Sequence, residues 1–387
     1  MIPREKHLQE VRELLEVFPV VAILGARQVG KTTLSRLVQG ESDGRAVTHF
    51  DLESSEDLAR LVDPLLVLRP LKGLVVIDEV QRRPGLFESL RVLVDEEGSA
   101  RRFLVLGSAS PELLRQSSET LAGRIAYHIL PGLTVDEVGE DERDRLWRRG
   151  GFPRSFLART EAESFRWRQE MVKSYLERDL PGLGLRLPAP NVRRFWTMVA
   201  HYHGQVWNGS ELGRAFGVAH TTVRRYLDLL VETYMVRLLP PWYENVGKRQ
   251  VRAPKVYLED SGLLHALLGI RDAEGLESHP KVGASWEGFV LQEAIASLRA
   301  TPEECFFWAT HSGAELDLLV VRGRSRLGIE VKRTTSPALT RSIMTAQADL
   351  RLDRVIVVHG GRYSFDLSPV VRAVAFPDLA SELSTRI

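Results

Sequence analysis

With 387 residues, the chain exceeds the size at which one hydrophobic core stops growing, so two or three domains are expected. Hydrophobic residues make up 44% of the sequence, charged residues make up 27%, and the formal net charge is +1, which excludes a disordered or strongly basic protein. Any nucleic-acid surface must therefore be a local patch.

Two further features indicate a water-soluble, cytoplasmic protein. Cys305 is the only cysteine, which excludes an internal disulfide framework and suits the reducing cytosol. The first residues form no apolar leader, and no stretch of about 18 uncharged apolar residues is present, so we expect no membrane contact.

The first predicted elements alternate between helices and strands. Apolar residues at spacings of three and four predict an amphipathic helix over residues 8–18, and a short apolar strand follows over 20–24. A glycine-rich turn then opens a helix over 31–38. Two more strands, over 74–77 and 103–106, each end in polar residues. This alternation predicts a parallel sheet with ligand groups at its carboxyl edge.

The rest of the chain divides at changes in composition. A charged, arginine-rich helical stretch after Gly132 predicts a small lid, and a Pro/Gly-rich joint at 181–190 separates it from a second helical region. A helix over 285–298 and strands over 306–308, 316–321, 327–331 and 355–358 predict a second α/β domain. We therefore expect domains at 1–133, 134–185, 186–275 and 276–387.

Residues 25–32, GARQVGKT, fit the pattern G-x-x-x-x-G-K-[ST] between the first strand and its helix. Glycines in such a loop let backbone N–H groups and the helix N-terminus approach phosphate oxygens. Lys31 would reach the β- and γ-phosphates, and Thr32 would bind Mg²⁺. The alternative is a plain glycine turn. The predicted ATP-binding residues of this loop are Gly25, Ala26, Arg27, Gln28, Val29, Gly30, Lys31, Thr32 and Thr33.

A second motif, LVVIDEV, places two acids at a strand end. Asp78 would bind the magnesium shell, and Glu79 would polarise the attacking water. Adjacent acids at a buried strand end would be costly without such a cation. The alternative is a pair of helix N-cap residues.

With these motifs, the segments LVLGSAS, LAGRI, GGFPRSF and YLERDL resemble the AAA+ ATPases, in particular a prokaryotic group with a C-terminal extension. The resemblance implies a P-loop AAA+ module with a helical lid, and ATP and Mg²⁺ as cofactors. It also implies that Ser108 senses the γ-phosphate or the water, that Arg124 is an arginine finger donated to a neighbouring subunit of a homo-oligomer, and that Arg154 is a lid arginine that contacts the nucleotide. A solvated surface charge is the alternative for both arginines.

The middle segment predicts a helix over 210–216, a tight turn and a helix over 220–232. An apolar stripe in the second helix leaves short hydroxyl and guanidinium side chains facing outward, which suits contacts with DNA phosphates and base edges. With residues 235–239 as the start of a wing, this is a winged-helix segment; the alternative is a module for protein contacts. The outward residues are Thr221, Thr222, Arg224 and Arg225.

The last domain resembles the PD-(D/E)XK nuclease fold, with GAELDLLV and GIEVK as core strands and WEGFV on the preceding helix. The resemblance implies that Asp317 and Glu330 bind a divalent metal near Glu287, while Lys332 orients a water or stabilises charge. The sequence departs from the motif because no proline-aspartate pair precedes it, and Asp317 takes the place of the motif aspartate. The alternatives are a structural or DNA-binding platform, or acids paired with local arginines.

Taken together, these features predict a homo-oligomeric AAA+ ATPase that hydrolyses ATP with Mg²⁺ and acts on DNA as a remodeller, a translocase or the partner of a nuclease. The alternative is a nucleotide-dependent switch that binds protein partners without DNA activity. DNA-stimulated ATP turnover would distinguish the two.

Overall fold

The computed structural model describes residues 2–40, 46–98, 101–108, 117–182, 188–244, 247 and 249–384. The chain divides into two compact units, Met1–Leu133 with Glu232–Tyr234 and Thr134–Val231 with Met235–Ile387. In the described part of the chain, no helix combines the length and the apolar character needed to cross a membrane.

The first unit alternates helices and strands. Its described helices are α1 Glu5–Val17, α2 Lys31–Gly40, α3 Ser55–Arg60, α4 Pro64–Leu68 and α5 Leu86–Val94. Its strands are β1 Val20–Gly25, β2 Val47–Asp51, β3 Gly73–Asp78, β4 Arg101–Ser108 and β5 Ile125–Ile129.

These five strands form one parallel sheet in the order β2-β3-β4-β1-β5, which confirms the predicted parallel α/β core. β1 is buried along its whole length, as expected for a central strand covered on both faces. In the sheet, Gly25 is paired with Ser108 and Asp51 with Asp78, so the carboxyl ends of four strands meet at one edge. β2 and β5 were not predicted, because both are short and mix polar with apolar residues.

The second unit begins with helices; the assignment of this segment as a lid stays a prediction. They are α6 Val135–Val138, α7 Arg143–Arg149, α8 Pro153–Phe156, α9 Glu161–Ser174, the π-helical turn Tyr175–Asp179 and α10 Leu180–Gly182. Of the predicted joint at 181–190, residues 183–187 lie outside the described part.

Buried polar contacts fix this helical region. Asp260 accepts hydrogen bonds from the N–H groups of Gly151 and Leu263, both at 2.7 Å. The adjacent Gly150 has a φ of +78° and lies so close to the Asp260 carboxylate that a Cβ there would clash with it. The two glycines are therefore packed against the Asp260 carboxylate, and a larger residue at position 150 would break this contact.

A second buried carboxylate caps the first helix of this unit. Glu293 Oε2 accepts a hydrogen bond of 2.9 Å from the N–H of Val135, the first residue of α6. Burial, together with the nearby acids Glu137, Asp136 and Glu140, raises the pKa of Glu293 to about 8. Glu293 therefore carries its proton at neutral pH when the protein is folded.

The middle of this unit contains three helices and a small sheet, whose first strand lies between the first two helices. The helices are α11 Ala189–His201, α12 Gly209–Phe216 and α13 His220–Glu232. The strands are β6 Gln205–Val206, β7 Val236–Leu239 and β8 Lys255–Leu258, in the antiparallel order β6-β8-β7. Gly217, with a φ of +73°, ends α12 in the left-handed conformation that favours glycine, so the turn predicted between the two helices is present. The winged-helix assignment stays a prediction.

The end of the chain contains a mixed sheet flanked by helices. The helices are α14 Ser261–Leu267, α15 Ala273–Glu277, α16 Val282–Leu298, α17 Arg341–Leu350 and α18 Leu379–Ser384. The strands are β9 Cys305–Ala309, β10 Glu315–Arg322, β11 Ser325–Lys332, β12 Arg354–His359, β13 Phe365–Asp366 and β14 Val371–Ala375. This confirms the second α/β domain.

The sheet order is β13-β14-β12-β11-β10-β9. β9, β10 and β11 pair antiparallel, whereas β11, β12 and β14 run parallel, with α17 connecting β11 to β12. The segment between β7 and β8 also contacts this sheet, through bridges from Pro241 to Phe307 and from Gln250 to Thr310.

Candidate functional site

The glycine-rich loop joins the end of β1 to the start of α2. Gly25 and Gly30 have φ values of +150° and +111°. A Cβ at Gly25 would lie 2.5 Å from the carbonyl oxygen of Leu130, so the first glycine is required by close backbone packing. Gln28 also has a positive φ, of 64°. The loop thus has the strained, small-residue backbone that a phosphate cradle needs.

Lys31 lies over this loop. Its ammonium donates hydrogen bonds to the carbonyl oxygens of Gly25 at 3.0 Å and Ala26 at 2.9 Å, and the side chain is buried. Val29 packs in the core, and Arg27 forms an ion pair of 3.1 Å with Glu53. The loop therefore holds its cation close to the backbone N–H groups that would bind phosphate.

Thr32 and Asp78 lie side by side at the carboxyl edge of the sheet. The Thr32 hydroxyl donates a hydrogen bond of 2.7 Å to Asp78 Oδ2, across 46 residues of sequence. Asp78 is buried at the end of β3. A hydroxyl and a carboxylate at this spacing fit Mg²⁺, which prefers oxygen ligands, so these two residues would hold the ion. Thr33, next along α2, is half-buried.

Glu79 follows Asp78 in a left-handed backbone conformation, with a φ of 55°. Strain of this kind at a strand end points to a functional constraint. The Glu79 carboxylate accepts a hydrogen bond from the side-chain amide of Gln81. Burial raises the pKa of Glu79, and Asp78 adds to this, while Gln81 and Lys31 lower it.

Gln81 was missed by sequence reasoning, although it directly follows the LVVIDEV motif. A glutamine two residues after the acid was the available signal.

Two of the residues assigned by resemblance lie near the same sheet. Ser108 ends β4 beside Gly25, and its side chain lies outside the described part of the structure. Arg124 precedes β5 and forms two hydrogen bonds with the carboxylate of Asp95, at 2.6 Å and 3.0 Å. Because Arg124 and Asp95 are both exposed, this pair contributes little to stability and can exchange partners.

Arg154 lies on α8 of the second unit and is exposed. It lines a shallow depression together with Pro153, Leu157 and Trp167. Its assignment as a lid arginine stays a prediction.

The predicted DNA-contacting residues share the outer face of α13. Thr221, Arg224 and Arg225 are exposed and Thr222 is half-buried. The opposite face buries Val223, Tyr226, Leu227, Leu229 and Leu230. Arg224 forms an ion pair of 2.7 Å with Asp228, four residues further along the helix, so part of its charge is already balanced.

The acidic residues of the last domain do come together. Glu287 lies on α16, Asp317 on β10, and Glu330 and Lys332 on β11. Asp317 Oδ2 accepts a hydrogen bond of 2.9 Å from the N–H of Val331, and Lys332 Nζ lies 2.6 Å from Glu330 Oε1.

Sequence reasoning missed the residue at the centre of this group, Lys255 of β8. Its ammonium lies 3.3 Å from Glu287 Oε1 and 3.4 Å from Asp317 Oδ1, and it also forms an ion pair with Glu315. Tyr257 donates a hydrogen bond of 2.5 Å to Glu287 Oε1. We call Lys255, Glu287, Glu315, Asp317, Glu330 and Lys332 the carboxylate cluster.

Comparison with known families gives three matches. Residues 17–139 match an AAA domain, residues 140–274 match a domain of unknown function (DUF8612), and residues 282–379 match another domain of unknown function (DUF4143).

Two curated relatives match almost the whole chain. They are the uncharacterized protein Rv2008c of Mycobacterium tuberculosis and the uncharacterized protein Mb2031c of Mycobacterium bovis. Each is 51% identical over 374 residues, which cover 97% of this chain and 84% of the relative.

Among solved structures, the chain is similar to the Walker-type ATPase PABY2304 of Pyrococcus abyssi, with a TM-score of 0.48 and 15% identity over 69% of this chain and 96% of that one. It is also similar to the RuvB Holliday junction branch migration motor of Thermotoga maritima, with a TM-score of 0.32 and 17% identity over 62% of this chain and 90% of that one.

Proposed function

We propose a function from two premises: the chain belongs to the family of its 51%-identical mycobacterial relatives, and its first unit is a P-loop ATPase domain of the AAA type. The protein hydrolyses ATP with Mg²⁺ and, as a cytoplasmic homo-oligomer, couples turnover to the remodelling or translocation of DNA. The observation that carries the ATPase assignment is the hydrogen bond of 2.7 Å between Thr32 and Asp78 beside the buried ammonium of Lys31.

Each of these residues has a chemical role. Lys31 and the backbone N–H groups of the loop bind the β- and γ-phosphates. Mg²⁺, when held by Thr32 and Asp78, supplies positive charge to the transferring phosphoryl group. Glu79 orients and polarises the attacking water, and its raised pKa makes it a better proton acceptor than an ordinary carboxylate. Gln81 holds the Glu79 side chain in place.

Arg124 supports the proposal of a homo-oligomer. Arg124 directly precedes β5, the edge strand of the sheet, and its guanidinium is exposed. Among the contacts described, this guanidinium is held only by the exposed carboxylate of Asp95 and by one backbone carbonyl. A neighbouring subunit's γ-phosphate would offer a stronger partner, because an arginine binds phosphate oxygens with two charge-assisted hydrogen bonds.

The outer face of α13 supports an action on DNA. Helix, strand, helix, helix and two strands follow one another from α11 to β8, which is the order of a winged-helix module. In the helix-turn-helix formed by α12 and α13, the second helix, α13, carries Thr221, Arg224 and Arg225 on one exposed face. There these side chains would contact phosphates and base edges.

The ion pair between Arg224 and Asp228 favours a second candidate function, a nucleotide-dependent switch that binds protein partners. An acidic residue on the same helix face repels DNA phosphates, whereas a mixed-charge face suits a protein surface.

ATP turnover measured with single-stranded, duplex and branched DNA tests the choice between the two. A DNA-acting ATPase is stimulated by at least one of these DNA forms. The double variant Arg224→Glu/Arg225→Glu should lose that stimulation. The plot of log DNA affinity against log salt concentration should become less steep by about 2, since two phosphate contacts are lost.

The matched control is Arg159→Glu/Arg166→Glu, which reverses two exposed arginines elsewhere in the same unit. Arg159 also pairs with an acid four residues away, so the control reproduces the charge reversal together with the loss of one such ion pair. Turnover that responds to none of the three DNA forms, or equal loss in both double variants, would favour the protein switch.

A further inference from the structure

The carboxylate cluster contains a buried lysine, Lys255, beside Glu287 and Asp317, two of the three acids that the PD-(D/E)XK resemblance assigns to a metal site. We propose that Lys255 is the resident cation of the cluster, and that the cluster joins β8 to the end domain instead of binding a divalent metal. The end domain is then not a metal-dependent nuclease.

The position of Lys255 follows from the pleat of β8. All four residues of this strand are buried, and Lys255 is only 3% exposed. Residues two apart share one face of a strand, so Lys255 and Tyr257 point to the same side, where both contact Glu287. The backbone of Lys255 is fixed on both sides, because it is paired with Val206 of β6 and Leu239 of β7.

The partners of Lys255 match its hydrogen-bonding capacity. An ammonium has three N–H donors and no acceptor, and three carboxylates surround it, those of Glu287, Glu315 and Asp317. A buried ammonium is tolerated only with such pairing.

Lys332 is the second cation of the cluster, and it pairs with Glu330. Its ammonium lies 2.6 Å from Glu330 Oε1, and the two residues share one face of β11. Each of the four acids therefore has a lysine partner within the chain, because Glu287, Glu315 and Asp317 share Lys255 and Glu330 pairs with Lys332.

A divalent ion does not fit beside Lys255. Mg²⁺ lies about 2.0–2.1 Å from its oxygen ligands. An ion bound to both Glu287 Oε1 and Asp317 Oδ1 would occupy the space between these atoms, which the Lys255 ammonium fills. In addition, Glu287 Oε1 already accepts the Tyr257 hydroxyl and Asp317 Oδ2 accepts the Val331 N–H.

Mn²⁺ titration of the nucleotide-free full chain tests the proposal, with bound Mn²⁺ counted by electron paramagnetic resonance. The wild type and Glu287→Gln should bind equal numbers of Mn²⁺ ions, because none lies in the cluster. Lys255→Met removes the charge with little loss of volume; it should bind one more Mn²⁺ ion, and Lys255→Met/Asp317→Asn should lose that ion again.

Thermal unfolding provides the second readout. Lys255→Met should lower the Tm by about 6 °C or more, because it leaves buried carboxylates without their cation, and Mn²⁺ should restore part of the loss. The control Lys281→Met changes a half-buried lysine outside the cluster and should shift the Tm by about 1 °C or less without gaining Mn²⁺.

Three results would overturn the proposal. The first is one more Mn²⁺ ion bound by the wild type than by Glu287→Gln. The second is a Lys255→Met protein as stable as the wild type that gains no Mn²⁺. The third is Mg²⁺- or Mn²⁺-dependent DNA cutting by the wild type that Lys332→Ala abolishes.

Discussion

The buried carboxyl group of Glu293 makes the stability of the second unit depend on pH. Its pKa is about 8 in the folded protein, compared with an ordinary value of 4.5. The folded state therefore holds a proton that the unfolded state releases between these pH values, and stability falls as the pH rises through this window. One such proton changes the free energy of unfolding by at most about 1.4 kcal/mol per pH unit, so over these roughly 3.5 units the total is at most about 5 kcal/mol.

Glu293→Gln separates the charge from the hydrogen bond. The glutamine keeps an oxygen that accepts the N–H of Val135 but never ionises. We expect the Tm of this variant to match the wild type at pH 5 and to exceed it by several degrees at pH 9, with the difference growing between pH 5 and pH 8. Circular dichroism melts across this range measure the effect.

The matched control is Glu303→Gln, an exposed glutamate in the same unit, which should leave the pH dependence of the Tm unchanged. A Tm difference for Glu293→Gln that is constant with pH, or a variant less stable than the wild type at pH 9, would refute the reasoning.

Two further predictions concern the ATPase site. Gln81→Leu removes a hydrogen bond that lowers the pKa of Glu79. The acid limb of the pH profile of kcat should therefore move to higher pH, while the Kd for ATP stays unchanged. An acid limb that does not move would show that Gln81 does not act through Glu79. Arg124→Ala should lower kcat by about 10³-fold or more, whereas Asp95→Asn should not lower it, and mixing Arg124→Ala with Glu79→Gln subunits should restore turnover. Equal losses in Arg124→Ala and Asp95→Asn would indicate that the pair is only structural.

The parts of this protein that the sequence predicts are those specified by neighbouring residues. The phosphate loop is one continuous segment whose glycines, lysine and threonine are tied to the end of β1 and the start of α2, so its pattern was sufficient. Strands buried on both faces, such as β1 and β3, were recognised from their apolar runs.

The features that sequence reasoning missed depend on contacts between distant segments. Lys255 meets Glu287 and Asp317, which are 32 and 62 residues away, and no local pattern marks a lysine in a short strand as the partner of those acids. The edge strands β2 and β5 are half-polar, so alternation and apolar content did not distinguish them from loops.

Parallel measurement of ATP binding and hydrolysis tests the central claim most directly. Glu79→Gln should bind ATP with a Kd close to that of the wild type while kcat falls by about 10²-fold or more, because the phosphate cradle is intact and only the water-activating carboxylate is lost. Lys31→Ala should lose ATP binding, since the cation that neutralises the β- and γ-phosphates is removed. Near-normal turnover in either variant would contradict the assignment of this site.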